Sequence, residues 1–262
     1  MMRSFFFILI LSFSSFIQAQ DLDVELVKQI SNPKNIQFAS YDHLGDFYLV
    51  KNNQITKQVD DKTYNYSNLL YGEVTSVDIR NPFQVLLFYK DFQSFVVLDN
   101  QLNEIQNINF SVHFPELDVI SVSAANKNFY WVFDGISKRI FLFDVGQNFL
   151  KPISVPIEKQ FHDWNSNANS FFIEADQKIY SYDIYGKVSE RSIADSFEKI
   201  DLISPSTFVT QNNQELFYHN LDLNQKIKIN LNQKRVNSFE VLNENLTIFT
   251  DIELNIYKLK LP

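Results

Sequence analysis

The stretch Ile140-Phe141-Leu142-Phe143-Asp144 is an apolar run that ends in a carboxylate, and variants of it recur along the chain. The other copies keep the apolar body and a polar last residue: Phe95-Val96-Val97-Leu98-Asp99, Ile179-Tyr180-Ser181-Tyr182-Asp183, Leu216-Phe217-Tyr218-His219-Asn220 and Leu254-Asn255-Ile256-Tyr257-Lys258. Their last residues are spaced by 45, 39, 37 and 38 positions. A period near 40 residues is typical of proteins in which each repeat is a sheet of about four strands.

Each repeat contains further strand-like runs around that one. Residues 83–89 are apolar on both faces, which suits a middle strand covered on both sides by neighbouring sheets. Residues 226–231 alternate, which suits a half-exposed outer strand. The pattern predicts repeats that start near residues 36, 75, 118, 160, 198 and 235. The sequence therefore predicts an all-β fold, a six-bladed β-propeller of four-stranded antiparallel blades, as a single domain over residues 20–262.

The last repeat lacks a fourth strand, and a spare strand-like segment stands at the other end of the chain. Leu22, Val24 and Leu26 alternate with acidic residues before the first repeat begins. We expect residues 21–30 to complete the last blade, because closing the ring removes exposed sheet edges. Burial of the three aliphatic side chains is expected to contribute about 1.5–3 kcal/mol each.

The first nineteen residues have the pattern of a cleavable secretory signal. Arg3 precedes the apolar run 5–11, serines follow, and Ala19-Gln20 places a small residue before a polar boundary. The run is shorter than the roughly 18–20 apolar residues of a transmembrane anchor. The sequence predicts a signal peptide over residues 1–19, no membrane insertion, and export to the periplasm or beyond, with association at the outer membrane left open.

The chain has no cysteine, and its formal net charge is −8. Without cysteine there is no lipobox and no disulfide framework, so we expect a protein that is not a lipoprotein. Loss of Arg3 with the signal peptide changes the charge from −8 to −9. An acidic surface disfavours nucleic acid, whose phosphates select basic faces, and we predict no nucleic-acid partner.

Over its mature length the repeat pattern resembles β-propellers in general. The Asn, Lys, Ile and Phe bias and the Ala19-Gln20 boundary resemble exported propeller proteins of the Bacteroidota, with no specific characterised family. The S-x-D-x-G-x-T-W boxes of sialidases and the W-D dipeptides of WD40 proteins are absent from the sequence. The resemblance implies a disc-shaped binding platform and no particular activity.

The sequence carries no recognisable catalytic, cofactor or metal motif. It has no G-x-S-x-G elbow and no H-E-x-x-H, and five scattered glycines cannot build a phosphate-binding loop. We therefore predict no catalytic residue, no cofactor and no metal. His162 and Asp163 are adjacent, but neighbours on a strand point to opposite faces, so we expect a structural histidine rather than an acid–base pair.

The acidic residues that end the repeated run are predicted to be structural. A carboxylate that opens a β-turn can accept the backbone N–H groups of that turn. The three positions are Asp99, Asp144 and Asp183. Calcium ligation is the weaker alternative, because calcium loops concentrate more oxygen ligands over a short span.

Aromatic residues gather in the connections that a propeller places on one face. Those connections are residues 66–74, 90–94, 111–118, 156–161, 195–199 and 232–234. With a neighbouring residue they contribute Tyr66, Tyr71, Phe92, His113, Phe114, Phe161 and Trp164. Interface centres are enriched in aromatic side chains, so this set predicts a protein-binding face, although the same rings could simply pack under loops.

Two functions from different classes remain open at this point. The first is a non-enzymatic propeller that binds another protein, as a scaffold or accessory module in the cell envelope or at an outer-membrane complex. The alternative is an enzyme that acts on a glycan or small molecule in the central channel. Its candidate carboxylates are Asp78, Asp163 and Asp201 on the predicted inner strands. The absence of catalytic motifs favours the binding protein.

Overall fold

The computed structural model describes residues 21–31, 33–231 and 235–261. The predicted signal peptide and the connection 232–234 lie outside the described residues. Within them the chain forms six antiparallel sheets of four strands each, arranged as blades in a ring. The predicted six-bladed β-propeller is therefore confirmed.

The strands follow one another from the inner to the outer edge of each blade. An N-terminal strand, β1 (Val24–Ser31), comes before the first blade. Blade 1 is formed by β2 (Ile36–Tyr41), β3 (Phe47–Lys51), β4 (Gln54–Val59) and β5 (Lys62–Ser67). Blade 2 is formed by β6 (Ser76–Asp78), β7 (Val85–Tyr89), β8 (Ser94–Leu98) and β9 (Glu104–Asn109). Blade 3 is formed by β10 (Val119–Ala124), β11 (Phe129–Asp134), β12 (Arg139–Asp144) and β13 (Phe149–Pro152).

The remaining blades repeat this order. Blade 4 is formed by β14 (Phe161–Ser166), β15 (Ser170–Ala175), β16 (Lys178–Asp183) and β17 (Val188–Ser192). Blade 5 is formed by β18 (Lys199–Leu202), β19 (Thr207–Asn212), β20 (Glu215–Asn220) and β21 (Gln225–Ile229). Blade 6 is formed by β22 (Ser238–Leu242), β23 (Asn245–Phe249), β24 (Glu253–Leu259) and β1. In the part of the chain that the structure describes, single helical turns lie at Leu69–Tyr71 and Phe110–His113, between blades, and at Lys90–Phe92, between β7 and β8.

Burial follows strand position within a blade. All five residues of β7 and all five of β8 are buried, whereas all five of β17 are exposed. The middle strands are covered by the blades on either side, which is why their sequences are apolar at successive positions. The described core divides into clusters of buried side chains that each join two adjacent blades. The hydrophobic core is thus a ring of blade–blade interfaces around a channel.

Several hairpins are closed by two residues that both have a left-handed backbone. Asn52 and Asn53, between β3 and β4, have φ of 52° and 62°. The same arrangement occurs at Asp176-Gln177, Asn213-Gln214 and Asn243-Glu244. Two-residue turns with positive φ match the twist of the flanking strands, and asparagine tolerates this conformation better than most residues with a side chain.

The ring is closed by the N-terminal strand, as predicted. β1 pairs antiparallel with β24, from Val24 opposite Leu259 to Ser31 opposite Glu253. Leu22 lies one blade away, because its N–H donates to Lys228 O at 2.7 Å on β21 of blade 5. The N-terminal segment therefore holds blades 5 and 6 together.

The predicted burial of three alternating aliphatic residues in this segment is wrong at one position. Leu22 is 6% exposed and Val24 is half-buried, but Leu26 is 49% exposed. The register of β1 against β24 shifts only after Leu26, and Val24, Lys28 and Ile30 remain partly buried while the residues between them are exposed. The alternation therefore continues through the strand, but β1 is the outer strand of its blade and its inner face is only partly covered.

Candidate functional site

A central cavity of about 430 Å³ lies between the inner strands. Four carboxylates line it, and each belongs to the third residue of an inner strand. They are Asp78 on β6, Asp163 on β14, Asp201 on β18 and Glu240 on β22. The structure therefore brings the three channel carboxylates predicted from the sequence to one cavity and adds Glu240.

Three of these carboxylates join one inner strand to the next. Asp78 Oδ2 accepts the N–H of Ala124 at 3.0 Å, and Asp163 Oδ2 accepts the N–H of Leu202 at 2.7 Å. Asp201 Oδ2 accepts the N–H of Val241 in the same way. Because the backbone donor lies on the neighbouring blade in each case, these side chains contribute to the assembly of the ring.

Arg80 is the cationic side chain in the described lining of the cavity. Its guanidinium pairs with Asp78, and its Nη2 also donates to Ala124 O at 3.1 Å. Its Nη1 donates to the carbonyl oxygen of Ser166 on blade 4. One side chain from blade 2 thus contacts blades 3 and 4. The charge of Arg80 is taken up by Asp78 and is not available to the other carboxylates.

The carboxylates differ in protonation because their surroundings differ. Burial works against ionisation of Asp78, but the charge and hydrogen bonds of Arg80 outweigh it, so the pKa of Asp78 lies below its ordinary value. Burial raises the pKa of Asp163 to about 7, and nearby Glu174 and Glu240 add to the effect. Burial and the charge of Asp163 raise the pKa of Asp201 well above its ordinary value.

Glu240 has a pKa above its ordinary value, and burial is the cause. No described residue forms a hydrogen bond to its carboxylate. Its aromatic neighbours in the cavity lining are Trp164, Phe239 and Phe249. Trp164 is held parallel to Phe171, with ring centroids 5.3 Å apart and an interplanar angle of 4°.

The three raised carboxyl pKa values favour the folded protein on mild acidification, and they act against one group of opposite sign, His219, whose pKa burial lowers to about 4. Between pH 3.8, the ordinary pKa of an aspartate, and about 7, the folded chain holds a proton on Asp163 that the unfolded chain has lost. The free energy of unfolding therefore falls as pH rises through this window, by up to ~1.4 kcal/mol per pH unit for each such group. We expect a higher melting temperature at pH 5.5 than at pH 7.5 in matched ionic strength.

The Asp163→Asn/Asp201→Asn variant should flatten this pH profile, because the amide oxygens still accept the backbone N–H groups but cannot ionise. Glu25→Gln removes an exposed carboxylate on β1 and is the matched control for the change in net charge. Glu174 lies close enough to Asp163 to affect its pKa, and His162 Nδ1 lies 2.7 Å from Glu174 Oε2. Equal pH profiles for the double variant and the wild type would contradict the assignment.

The connections between blades lie on one side of the ring together with the turns between second and third strands. We call this side the crossover face. Among the predicted binding residues, Phe92 and His113 are exposed there. Three others pack inward: Tyr71 lies 5.3 Å from Tyr89, Phe114 lies 5.7 Å from Phe143, and Phe161 lies 5.3 Å from Phe133, all between ring centroids.

The two remaining residues of the predicted set have separate surroundings. The hydroxyl of Tyr66 donates to Glu104 Oε2 at 2.6 Å and joins blade 1 to blade 2. Trp164 lines the channel cavity rather than the crossover face. The structure thus brings Tyr66, Tyr71 and Phe92 to one region, while Trp164 belongs to another site.

Exposed aliphatic side chains also lie in the connections and turns of the crossover face. They are Leu69 (90% exposed), Leu70 (77%), Val112 (74%) and Ile136 (68%). The ring of Phe92 lies against Gly72, in the same connection as the two leucines. Phe114 and Ile136 line a shallow cavity of about 390 Å³ further along. Together with Phe92, these four aliphatic residues form a surface that we call the apolar ridge.

The predicted turn residues lie away from the crossover face, in the turns between third and fourth strands. Asp99 Oδ1 accepts the N–H groups of Gln101 and Asn103 at 2.8 and 2.9 Å. Asp183 Oδ1 accepts those of Tyr185 and Lys187 at 2.8 and 2.9 Å. Asp144 Oδ1 accepts one, from Gln147 at 3.2 Å. These are the hydrogen bonds that a structural turn role requires.

No group of three or more histidine, aspartate or glutamate side chains in residues 21–31, 33–231 and 235–261 is placed to hold a metal ion. Over the same ranges, no helix has the length and apolar character needed to cross a membrane.

Comparison with known proteins shows similarity in fold and not in sequence. No family model and no curated protein matches the chain. Virginiamycin B lyase from Staphylococcus aureus is similar with a TM-score of 0.57 and 8% identity over 92% of this chain and 95% of that one. The Neurospora crassa Pan2 WD40 domain gives 0.56 and 10% over 91% and 96%.

A third similar structure is an extracellular domain of a putative hybrid two-component system from B. thetaiotaomicron. Its TM-score is 0.52, with 11% identity over 84% of this chain and 33% of that one. Proteins this distant in sequence share architecture and need not share activity. The comparisons therefore identify the chain as a six-bladed β-propeller.

Proposed function

We propose that the chain is an exported, non-enzymatic propeller that binds another protein through its crossover face, as a scaffold or accessory module of the cell envelope. The observation that carries the proposal is the apolar ridge. Single exposed apolar residues are ordinary on a protein surface, but several on one face, with an aromatic side chain among them, are characteristic of binding sites. The extracellular domain of similar fold and the signal-like residues 1–19 support export.

The chemistry of the ridge indicates what kind of partner fits. The exposed charged residues near it are mainly acidic: Glu73, Asp91, Glu116 and Asp118, against the basic Lys90 and Lys138. An apolar centre with a mostly acidic border favours a protein segment that presents aliphatic or aromatic side chains flanked by basic residues. The charged residues at the border are expected to affect the association rate. The apolar ridge is expected to affect the lifetime of the complex.

Replacing Leu69, Leu70 and Val112 together by serine is expected to weaken partner binding while leaving the fold intact. Exposed substitutions usually change stability by less than about 0.5 kcal/mol. A central anchor contributes about 2 kcal/mol or more, so we expect at least a thirtyfold loss of affinity. The measurement is quantitative capture of the partner from an envelope extract by tagged wild-type and variant proteins, with melting temperatures in parallel.

The control is a pair of leucines on the opposite side of the ring, each more than half exposed. Leu44 is 58% exposed and Leu223 is 57% exposed. Their replacement by serine should leave capture unchanged, as should Asp163→Asn in the channel. Equal capture by the ridge variant and the wild type, with both proteins folded, would rule out this face as the binding site.

A channel enzyme remains the second candidate, and one observation favours it. Asp163, Asp201 and Glu240 share a cavity and hold raised pKa values, as general acids often do. Against this, Asp163 and Asp201 are occupied by backbone N–H groups of the next blade. Loss of the cellular function in a folded Asp163→Asn protein would favour the enzyme.

A further inference from the structure

A cavity of about 390 Å³ lies where the connection between blades 2 and 3 packs on blade 3. It begins at the turn between β11 and β12, on the crossover face, and extends along blade 3 to the start of β13. Apolar side chains form its walls: Phe114, Leu117, Ile136, Phe141, Phe149 and Leu150. The ring of Phe114 is nearly perpendicular to that of Phe143, with 5.7 Å between their centroids, and is fixed by this contact. The cavity is therefore a preformed apolar site beside the apolar ridge, and Ile136 belongs to both.

A hydroxyl group in the lining of this cavity has no partner. The hydroxyl oxygen of Ser137 is buried, and no residue in the described part of the chain forms a hydrogen bond with it. The backbone of Ser137 is held in place, because its N–H donates to Asp134 Oδ2 at 2.7 Å. Buried polar groups in folded proteins are nearly always hydrogen-bonded, and an exception needs an explanation. A bound group with an N–H donor supplies the missing partner, because a serine hydroxyl can accept a hydrogen bond as well as donate one.

The charge around the cavity favours a cation next to that bound group. Glu116 lines the cavity, and Asp118 lies beside the same turn, since its backbone N–H donates to Asp134 Oδ1 at 2.8 Å. Glu116 and Asp118 are exposed, and over residues 21–31, 33–231 and 235–261 neither forms an ion pair. Lys138, in the same turn, pairs instead with Glu158 at 3.0 Å. A basic residue of a partner therefore finds two carboxylates available at this site.

We propose that this cavity receives a tryptophan side chain of the partner protein, with a lysine or arginine adjacent to it in the partner's sequence. The indole ring packs against the apolar walls and its N–H donates to the Ser137 hydroxyl, while the adjacent cation pairs with Glu116 or Asp118. Tryptophan combines a large flat apolar surface with one N–H donor at its edge, and it is enriched among interface anchors. This inference rests on the proposed function, because the tryptophan belongs to the protein bound at the crossover face.

The test measures binding of short peptides to the purified protein by saturation-transfer difference NMR. The probe is Ac-Lys-Trp-Lys-NH2, and the reference peptide Ac-Lys-Ala-Lys-NH2 has the same charge without the ring. We expect saturable binding of the tryptophan peptide, and binding of the alanine peptide that is weaker by about tenfold or more, because a buried aromatic anchor supplies most of the interaction. Equal affinities of the two peptides, or no saturable binding of the tryptophan peptide, would overturn the proposal.

The hydrogen bond to the hydroxyl group is tested from both sides. Ser137→Ala removes the acceptor and an N-methylated indole in the peptide removes the donor, so each change alone should weaken binding roughly threefold to tenfold, as loss of one neutral hydrogen bond does. Made together, the two changes should weaken binding little further, because the bond is already lost. Fully additive losses would show that the indole does not contact Ser137. The alanine variant should stay folded, since it removes an unpaired hydroxyl.

A pair of phenylalanine variants places the peptide in this cavity. Phe149→Ser removes one wall and should weaken binding of the tryptophan peptide by about tenfold. Phe83→Ser is the matched control on the opposite side of the ring, since Phe149 is 53% exposed and Phe83 is 59% exposed. Melting temperatures check that both variants are folded. Equal peptide affinity of the two variants would mean that the peptide binds elsewhere.

A pair of charge variants separates the local carboxylates from general attraction to an acidic protein. Glu116→Gln combined with Asp118→Asn should weaken binding of the peptide about threefold or more at low ionic strength, and salt should reduce the difference. Glu25→Gln combined with Asp23→Asn removes the same charge from exposed positions of the N-terminal segment and should have no such effect. The same loss in both double variants would contradict a specific role for the two carboxylates.

Failure of this inference and failure of the proposed function give different results. If the peptide does not bind but the ridge variant with serine at Leu69, Leu70 and Val112 loses partner capture, the partner uses the crossover face without this cavity, and the tryptophan site is overturned. If the peptide binds with the expected variant profile but the ridge variant captures the partner normally, the tryptophan site is supported and the ridge is excluded as the binding surface.

Discussion

Deleting residues 21–30 is expected to lower the melting temperature by roughly 6–12 °C. The deletion removes buried Leu22 and the hydrogen bonds between β1 and β24. A buried leucine contributes about 1.5–3 kcal/mol and each hydrogen bond about 0.5–1.5, so a net loss of ~3 kcal/mol remains after the entropy of ordering the segment. For a domain of this size each kcal/mol corresponds to about 2–4 °C.

Two leucines in the same segment provide the matched comparison. Leu22→Ala should destabilise the protein by about 2–3 kcal/mol, no more than loss of the whole segment, because it empties a site in the interface between blades 5 and 6. Leu26→Ala should change little, because that side chain is already half in solvent. Equal melting temperatures for the deletion and the wild type would show that the ring is held without its N-terminal strand.

Arg80→Met is expected to destabilise the protein by about 3–5 kcal/mol. The substitution keeps much of the side-chain volume but leaves Asp78, which is 9% exposed, as a buried charge with no cation. It also removes the hydrogen bonds to the carbonyl groups of Ala124 and Ser166, and with them a connection between three blades. Chemical denaturation at pH 7.5 measures the loss.

The control is an arginine ion pair on the outside of the ring. Arg191 pairs with Asp222 at 2.6 Å, but both side chains are about half exposed, so Arg191→Met should have no measurable effect. Adding Asp78→Asn to Arg80→Met should restore part of the lost stability, since the uncompensated charge is then gone. A double variant less stable than Arg80→Met would contradict the buried-charge explanation.

The fold follows closely from the sequence because the propeller repeats one pattern. The apolar runs of β7 and β8 identify middle strands, since covered strands need no polar face. The strand-like segment at residues 21–30 identified the closing strand, because β24 otherwise has no neighbour on its outer side. The contact of Leu22 with blade 5 could not be predicted, because nothing in an isolated alternating segment indicates a second partner strand.

The channel is only partly visible in the sequence. Asp78, Asp163 and Asp201 could be selected because inner strands were recognisable. Glu240 could have been found by the same rule, since all four are third residues of their strands, but the last inner strand is poorly marked. Arg80 lies just beyond β6, in a connection, and its position across the channel depends on three-dimensional distances that no repeat pattern contains.

On the crossover face, the sequence predicted more binding residues than the structure leaves exposed. Aromatic residues in predicted loops suggested a surface, yet Phe114 and Phe161 pack against the core. In a chain with 26 phenylalanines, aromatic content does not distinguish a binding residue from a packed one. The leucine pair in the connection before β6 is the better signal, because apolar residues without strand periodicity in a loop have no obvious core to join.

The pairing of β1 with β24 also constrains when this protein can become native. Val24 finds its partner Leu259 only after nearly the whole chain is available, so the last sheet has the longest-range contacts in the fold. Long-range pairings slow folding, whereas the entropy of closing so large a loop rises only slowly with its length. During synthesis, the blades that emerge early form an open arc with an unpaired edge. That arc is the species that chaperones would have to shield from edge-to-edge association.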